Sequence, residues 1–327
     1  FEKDSRASLR EALIVSGETD AWRVIHGAGD ARPGWYVEKL GEWLLSQGEN
    51  ELQPEQRAQL EQWLEERHLK GAYHKHWNRQ VRKTSTDDAS PKPLSASVTA
   101  PGSWTIHENG LTFELSFEEG YSIGLFLDQR DNRRRLITGH VAAGFPLPTP
   151  AKAPVTVLNT FAYTCGFSVA AAKAGAIVTS LDLSKKYLEW GRRNFVHNGL
   201  DPAQHDFIYG DAFDWMKRLA RKGRKYSIVI LDPPTFSNSK ERGAFRVEKD
   251  YGELVSLAVG LLETDGCLLA STNAAGLEPE KFLSMVRAAV SGCSRKIKQE
   301  HYVPQPPDFP ITREEPAYLK TVWMRIA

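Results

Sequence analysis

The chain has 327 residues, a net charge of +1 and ordinary apolar content, which exclude a fibrous, disordered or strongly basic protein and leave room for roughly two domains. No apolar run approaches the roughly 20 residues of a bilayer-spanning helix, and the first residues carry no signal-peptide pattern, so no membrane partner is expected. Cys165, Cys267 and Cys293 lie far apart without metal-ligand spacing, which points to free thiols in a reducing cytoplasm and to no bound metal.

The pattern over residues 1–120 predicts a small α+β domain. A short helix over 8–15 is followed by strands over 21–26 and 43–46, separated by the turn-rich residues 27–34. Residues 51–68 read as an amphipathic helix, with Pro54 in its first turn and Leu60, Trp63 and Leu64 on one face. A strand over 71–75, an exposed Ser/Thr/Asp/Pro-rich loop over 84–102 and a half-buried strand at 111–115 complete it. Basic and aromatic residues interleave over 68–83 (Lys70, Tyr73, His74, Lys75, His76, Trp77, Arg79, Arg82, Lys83). That composition suits either an RNA-facing strand and loop or a charged, solvated β-edge. The basic run 217–225 reads as a solvated helix end.

From residue 121 to 327 the pattern changes to alternating strands and helices, the signature of a doubly wound, mostly parallel sheet. Strands are expected at 155–158, 176–181, 207–209, 226–231 and 267–271, with helices over 168–174, 184–198, 212–221, 248–262 and 278–290 between and after them. Two late strands, 296–303 and 319–326, are close enough in sequence to pair antiparallel.

The chemistry collects where these strands end. In open α/β sheets ligands sit beyond the carboxyl ends of the strands. The first strand runs into Asn159-Thr160-Phe161-Ala162-Tyr163-Thr164-Cys165-Gly166, small enough for backbone amides to approach a ligand. It lacks the glycine spacing of a dinucleotide fingerprint. The second strand ends in Asp182-Leu183-Ser184, where Asp182 could accept from both hydroxyls of a ribose or cap the next helix. The third ends in Gly210-Asp211-Ala212, where Asp211 could accept from an adenine amino group or cap in its turn. The fourth ends in Asp232-Pro233-Pro234-Thr235-Phe236; prolines cannot continue a ladder, so a rigid turn must follow. An adenosine pocket on strands one to three and a base-holding turn on strand four imply a seven-stranded, Rossmann-like class I methyltransferase domain that uses S-adenosylmethionine (SAM).

Residues 121–135, which include Phe126-Leu127-Asp128-Gln129-Arg130-Asp131-Asn132-Arg133-Arg134-Arg135, resemble the segment leading into the SAM domain of bacterial 23S ribosomal RNA methyltransferases. Residues 157–167 and 231–240 extend that resemblance, and Arg23-Val24-Ile25-His26-Gly27-Ala28-Gly29-Asp30 resembles the small domain that precedes it. The resemblance spans residue 20 to the end. It implies RNA as the partner and places Gln129 and Arg130 near the methionine end of SAM. Arg133, Arg134 and Arg135 read as a solvated helix face.

Two departures bear on the reaction. The roughly 20 residues ahead of the small domain cannot hold the PUA module common in that family, and a family glycine is here Cys165. The cytosine-C5 branch needs a cysteine nucleophile, whereas this chain has Thr235 in the turn and Ser271-Thr272-Asn273 at the end of strand five. The sequence looks more like the guanine-N7 branch. On that reading Asp232 and the Pro233 carbonyl accept from the base, Phe236 stacks on it and Asn273 steadies its edge. The same turn would serve adenine N6 or guanine N2. A small-molecule or protein acceptor, and a non-catalytic SAM- or RNA-binding role, stay open, as does the oligomeric state, a homodimer included.

Overall fold

The structure is a computed structural model that describes residues 5–77, 90–119, 122–149, 154–239 and 243–327. It divides into two compact units: Phe1–Arg130 with Pro306–Pro316, and Asp131–Gln305 with Ala317–Ala327. The boundary expected near residue 120 thus falls at Arg130, and a late segment returns to the first unit.

In the first unit α1 (Ser5–Ala12) precedes a five-stranded sheet of β1 (Ala21–His26), β2 (Trp35–Leu40), β3 (Trp43–Gly48), β4 (Gly71–His76) and β5 (Lys92–Pro93), in that order. Strands β1 to β3 form an antiparallel meander, while β4 runs parallel to β3 because α2 (Pro54–Glu66) crosses between them. The face under α2 is apolar by strict alternation: Trp22, Val24, Trp35, Val37 and Leu44 pack against Leu60 and Trp63. Trp35 and Trp63 stack with planes 1° apart. Strand β2 is absent from the sequence reading, which took only two strands from this region. A hairpin of β6 (Trp104–Glu108) and β7 (Leu111–Leu115) turns through Asn109 and Gly110, both left-handed, as a two-residue hairpin requires.

The second unit starts with α3 (Arg130–Thr138, from Asp131 on) and a hairpin of β8 (His140–Ala142) and β9 (Phe145–Pro146). Its sheet contains β10 (Thr156–Thr160), β11 (Ile177–Asp182), β12 (Asp206–Tyr209), β13 (Tyr226–Leu231), β16 (Leu262–Thr272), β17 (Ile297–Val303) and β18 (Lys320–Ile326). A hairpin of β14 (Phe236–Ser239) and β15 (Gly243–Arg246) follows β13 outside that sheet. The strand order is β12-β11-β10-β13-β16-β18-β17, parallel except for β18, which runs antiparallel to both neighbours. The expected late antiparallel pair is therefore present.

The crossovers are α4 (Gly166–Lys173), α5 (Lys185–His197), α6 (Ala212–Arg221), α7 (Val247–Leu261) and α8 (Pro279–Gly292). Leu158, Val229 and Leu231 face a core built with α6, α7 and α8. Among the described residues, no helix is long and apolar enough to cross a membrane.

Strand order reverses between the neighbours β10 and β13, whose following connections lead to β11 on one side and β16 on the other. Such a switch point opens a crevice at the carboxyl ends of the strands. Thr160 pairs with Leu181 on one side and Leu231 on the other, and Asp182 pairs with Tyr209, so four strand tips finish at one level.

Candidate active site

The loop after β10 is held in a demanding conformation. Phe161, Tyr163 and Cys165 all adopt left-handed backbone (φ 56°, 49° and 66°), an arrangement that costs energy in non-glycine residues and needs outside support. Support comes from three directions. The amide of Ala162 donates to the Leu181 carbonyl (3.0 Å), Asn194 of α5 donates to the Thr164 carbonyl (2.9 Å), and Tyr163 N donates to the carboxylate of Asp182 (2.8 Å). Gly191 of α5 lies under the Cys165 thiol; a Cβ there would come within 2.3 Å of sulfur, so only glycine lets helix and loop meet.

Asp182 is the hub of this arrangement. One oxygen accepts from Tyr163 N and the other from Ser184 N, both at 2.8 Å, which fixes the carboxylate plane while leaving each oxygen with further acceptor capacity. Burial raises its pKa above the usual aspartate value, and the backbone amides of Tyr163, Ser184 and Leu183 oppose that rise. The helix-capping role belongs to Ser184, whose Oγ accepts from Tyr187 N at 3.2 Å. Asp182 is thus not spent on the cap, and Leu183 stands between the two. At the third tip, Asp211 does cap α6: its Oδ1 accepts from Phe213 N (3.0 Å) and Asp214 N (3.2 Å), with Ala212 opening the helix. Both capping bonds use one oxygen. Gly210 precedes it with φ 154° against the Trp215 ring, where a Cβ would approach Nε1 to 2.1 Å.

Asn159 sits beneath the loop. It is 1% exposed, and its amide donates to Ser168 Oγ (2.9 Å), which also accepts from Ser180 Oγ (2.8 Å). It therefore braces the loop from below. Gly166 opens α4 directly after the left-handed Cys165.

Strand β13 ends at Leu231, and Asp232 to Thr235 form the turn. Asp232 is half-buried, Pro233 buried, and Pro234 and Thr235 exposed. Thr235 Oγ1 donates to Asn273 Oδ1 at 2.7 Å, so the turn and the end of β16 are tied together. Below them the Tyr251 hydroxyl donates to the Ser271 carbonyl (2.7 Å); burial, and then the charge of Asp232, hold that phenol well above its ordinary pKa. The side chain of Phe236 lies outside the described residues.

Sequence reading missed Tyr251, the Thr235–Asn273 bond and Phe245. The β14–β15 hairpin carries Phe245, 3% exposed, between Phe161 (6.2 Å) and Phe213 (6.0 Å), so three rings close one wall over the β10 and β12 tips. The alternation Ala244-Phe245-Arg246-Val247 was the available signal.

Gln129 and Arg130 lie in the first unit, apart from the tip residues in the fold's division. Gln129 is 2% exposed, and the Arg130 guanidinium makes two bonds to Asp308, at 2.9 and 2.5 Å. Arg130 has a structural partner that sequence could not reveal. Arg130→Ala, which leaves the Asp308 carboxylate buried without its cation, is expected to cost about 3–5 kcal/mol in denaturant unfolding. The solvated face expected for three arginines holds for Arg134 alone. Arg133 is 2% exposed, its guanidinium 5.7 Å from the Phe167 ring, and Arg135 is half-buried with Nε on the Val141 carbonyl (3.0 Å). The basic stretch is only partly enclosed. Tyr73 is buried against Phe117 and Lys75 is 5% exposed, whereas Lys70, paired with Glu42, and His76 are exposed, and Arg79, Arg82 and Lys83 lie outside the described residues.

The tips of the second unit suit an adenosine ligand. They offer a pre-oriented carboxylate, a rigid amide-bearing loop and an aromatic wall. Residues 22–325 match the S-adenosylmethionine-dependent methyltransferase family. A ribosomal RNA large subunit methyltransferase of Deinococcus radiodurans is 31% identical over 326 residues, covering 98% of this chain and 76% of that protein. Ribosomal RNA large subunit methyltransferase K of Neisseria meningitidis is 37% identical over 172 residues, 52% of this chain and 45% of that protein. Among solved structures, SMU.776 in complex with SAH superposes with a TM-score of 0.80 at 28% identity, covering 98% of this chain and 79% of that one. With its seven-stranded sheet, its crevice and these matches, the chain belongs to the S-adenosylmethionine-dependent methyltransferase family, and SAM is its methyl donor.

Proposed function

We propose that this enzyme methylates a base nitrogen of large-subunit ribosomal RNA, with guanine N7 favoured over cytosine C5. The name of the Deinococcus relative supports the acceptor class. The choice of atom rests on where the three thiols lie. Cys165 is fully buried under the loop, burial pushing its thiol up to about 12. Cys267 is fully buried midway along β16, paired with Ile228 and five residues short of the strand's end, and its thiol is pushed up to about 11. Cys293 follows α8 and donates to the Ser256 carbonyl at 3.8 Å. No cysteine stands at the Asp232 turn, so the covalent attack that C5 transfer needs has no nucleophile there.

Bound SAM supplies an electrophilic methyl group. A ring nitrogen brings its own lone pair, so no side chain must remove a proton, and positioning carries the rate. Asp182 holds the ribose hydroxyls and Asp211 the adenine amino group. Asp232 and the Pro233 carbonyl accept from the ring N–H and amino group of the acceptor base, and Asn273, tethered by Thr235, steadies its edge. The Asp232 carboxylate also opposes the positive charge that a purine gains on N7 methylation. Unpairing a base costs a few kcal/mol, which favours an unpaired target.

The test is transfer of labelled methyl groups from SAM to unmodified ribosomal RNA, followed by digestion to nucleosides. Label in 7-methylguanosine is expected. Label in 5-methylcytidine overturns the choice of atom. SAM binding without label in RNA moves the acceptor to a small molecule or protein.

A further inference from the structure

The first unit carries a cavity lined by its own residues alone. The sheet face away from α2 buries Trp43, Leu45 and Tyr73 but also carries a group of charged and polar side chains. Register places Arg23 opposite Glu38 on β1 and β2, and Tyr36, Gln47 and Lys75 in one row across β2, β3 and β4. Arg23, Glu38, Gln47 and Lys75 line a cavity of about 180 Å³ in the same unit, closed by the segment from Ser122 to Asp128 and by Phe309.

Its walls suit a flat ring. Trp77 stacks on Tyr36 with centroids 4.8 Å apart, and Phe309 lies under the Arg23 guanidinium at 4.5 Å. The floor suits an edge with both donors and acceptors. Glu38 is 7% and Lys75 5% exposed, and burial pulls the Lys75 ammonium down to about 8 although Glu38 pulls the other way. Gln47 donates to Glu38 and accepts from Trp77 Nε1, each at 3.4 Å, long bonds that a ligand can replace at little cost. Arg23 and Lys75 balance Glu38 and Asp128, so the lining has no net charge to attract a phosphate. A neutral heteroaromatic ring fits this balance. Guanine fits it best: Glu38 Oε1 is held by the Arg23 guanidinium (2.8 Å), while Oε2, released from the long Gln47 bond, can take the ring N–H as the Lys75 ammonium donates to O6. Adenine has no carbonyl for the lysine and no ring N–H for the glutamate.

We propose that this cavity binds one unpaired guanine of the acceptor RNA, an inference that rests on RNA being the acceptor. Binding of the fluorescent pentanucleotides UUGUU and UUAUU, read by anisotropy, tests it. The wild-type protein is expected to prefer UUGUU by about tenfold. Lys75→Met should bring the two affinities together, and Trp77→Ala should weaken both by about tenfold through lost stacking. SAM affinity should stay unchanged in both variants, which also reports that they are folded. Equal wild-type affinities, or a preference that survives Lys75→Met, overturn the pocket. Absence of binding to either pentamer overturns it too. Methyl transfer to ribosomal RNA by the same preparation then shows whether the RNA reading stands without the pocket or falls with it.

Discussion

Asp182→Ala is expected to weaken SAM binding by at least about 100-fold in calorimetric titration. Two hydroxyl bonds to a carboxylate are each worth about 1.5–3 kcal/mol, and every 1.4 kcal/mol is a factor of ten. The change also strips the acceptor from Tyr163 N and Ser184 N, so the strained loop loses its anchor. SAM affinity that survives the substitution, in a protein with an unchanged circular dichroism spectrum, would remove the ribose from Asp182. The same residue sets a pH dependence. Burial raises its folded pKa, so acidification neutralises the acceptor at a pH above the ordinary aspartate range, and SAM affinity should fall as pH falls. Its stability contribution runs the other way. A carboxyl whose folded pKa exceeds its unfolded one favours folding below the unfolded pKa and loses that contribution as pH rises through the folded value. Ligand affinity and the Asp182 share of unliganded stability should therefore have opposite slopes across that window.

Asp232→Ala is expected to leave SAM affinity within about threefold and to lower kcat by roughly 10²–10³, the usual cost of removing one preorganised electrostatic contact. The turn should survive, because Pro233 and Pro234 fix it and the Tyr251 hydroxyl beneath it bonds to the Ser271 carbonyl rather than to Asp232. Asp232→Asn separates charge from shape: near-complete recovery of kcat in this variant would show that the negative charge is dispensable. If Asp232→Ala instead abolishes SAM binding, the turn belongs to the donor and not to the acceptor base.

The second unit was legible because its signals are local and redundant. Each buried parallel strand is a short apolar run, and each ends in a residue that stops it: Asp182, Gly210, or Asp232 before two prolines. Those stops are also the residues proposed for the site, so fold and candidate chemistry were read together. The first unit was less legible. Strand β2, Trp35-Tyr36-Val37-Glu38-Lys39-Leu40, alternates well, but it follows a glycine- and proline-rich turn that masked its start. Its Glu38 lines a cavity rather than facing water, which no periodicity can report. The fates of Arg130 and Asn159 depended on partners, 178 residues away for Arg130 and on the next helix for Asn159. Side-chain type told that each would be polar and placed, not what would hold it.

The return of residues Pro306–Pro316 to the first unit bears on how the protein is made. Asp308 receives the Arg23 amide and the Arg130 guanidinium, and Glu315 receives the Ala28 amide at 2.9 Å and the Tyr36 hydroxyl. All four of those donors leave the ribosome long before their acceptors are synthesised. A nascent chain that has reached only Arg130 therefore lacks the Asp308 and Glu315 acceptors that Arg130 and strands β1 and β2 use in the folded protein. Most of the first unit is translated ahead of the second, yet its folding must wait for residues 306–316 to emerge after most of the second unit, against the usual N-terminal-first order of domain folding.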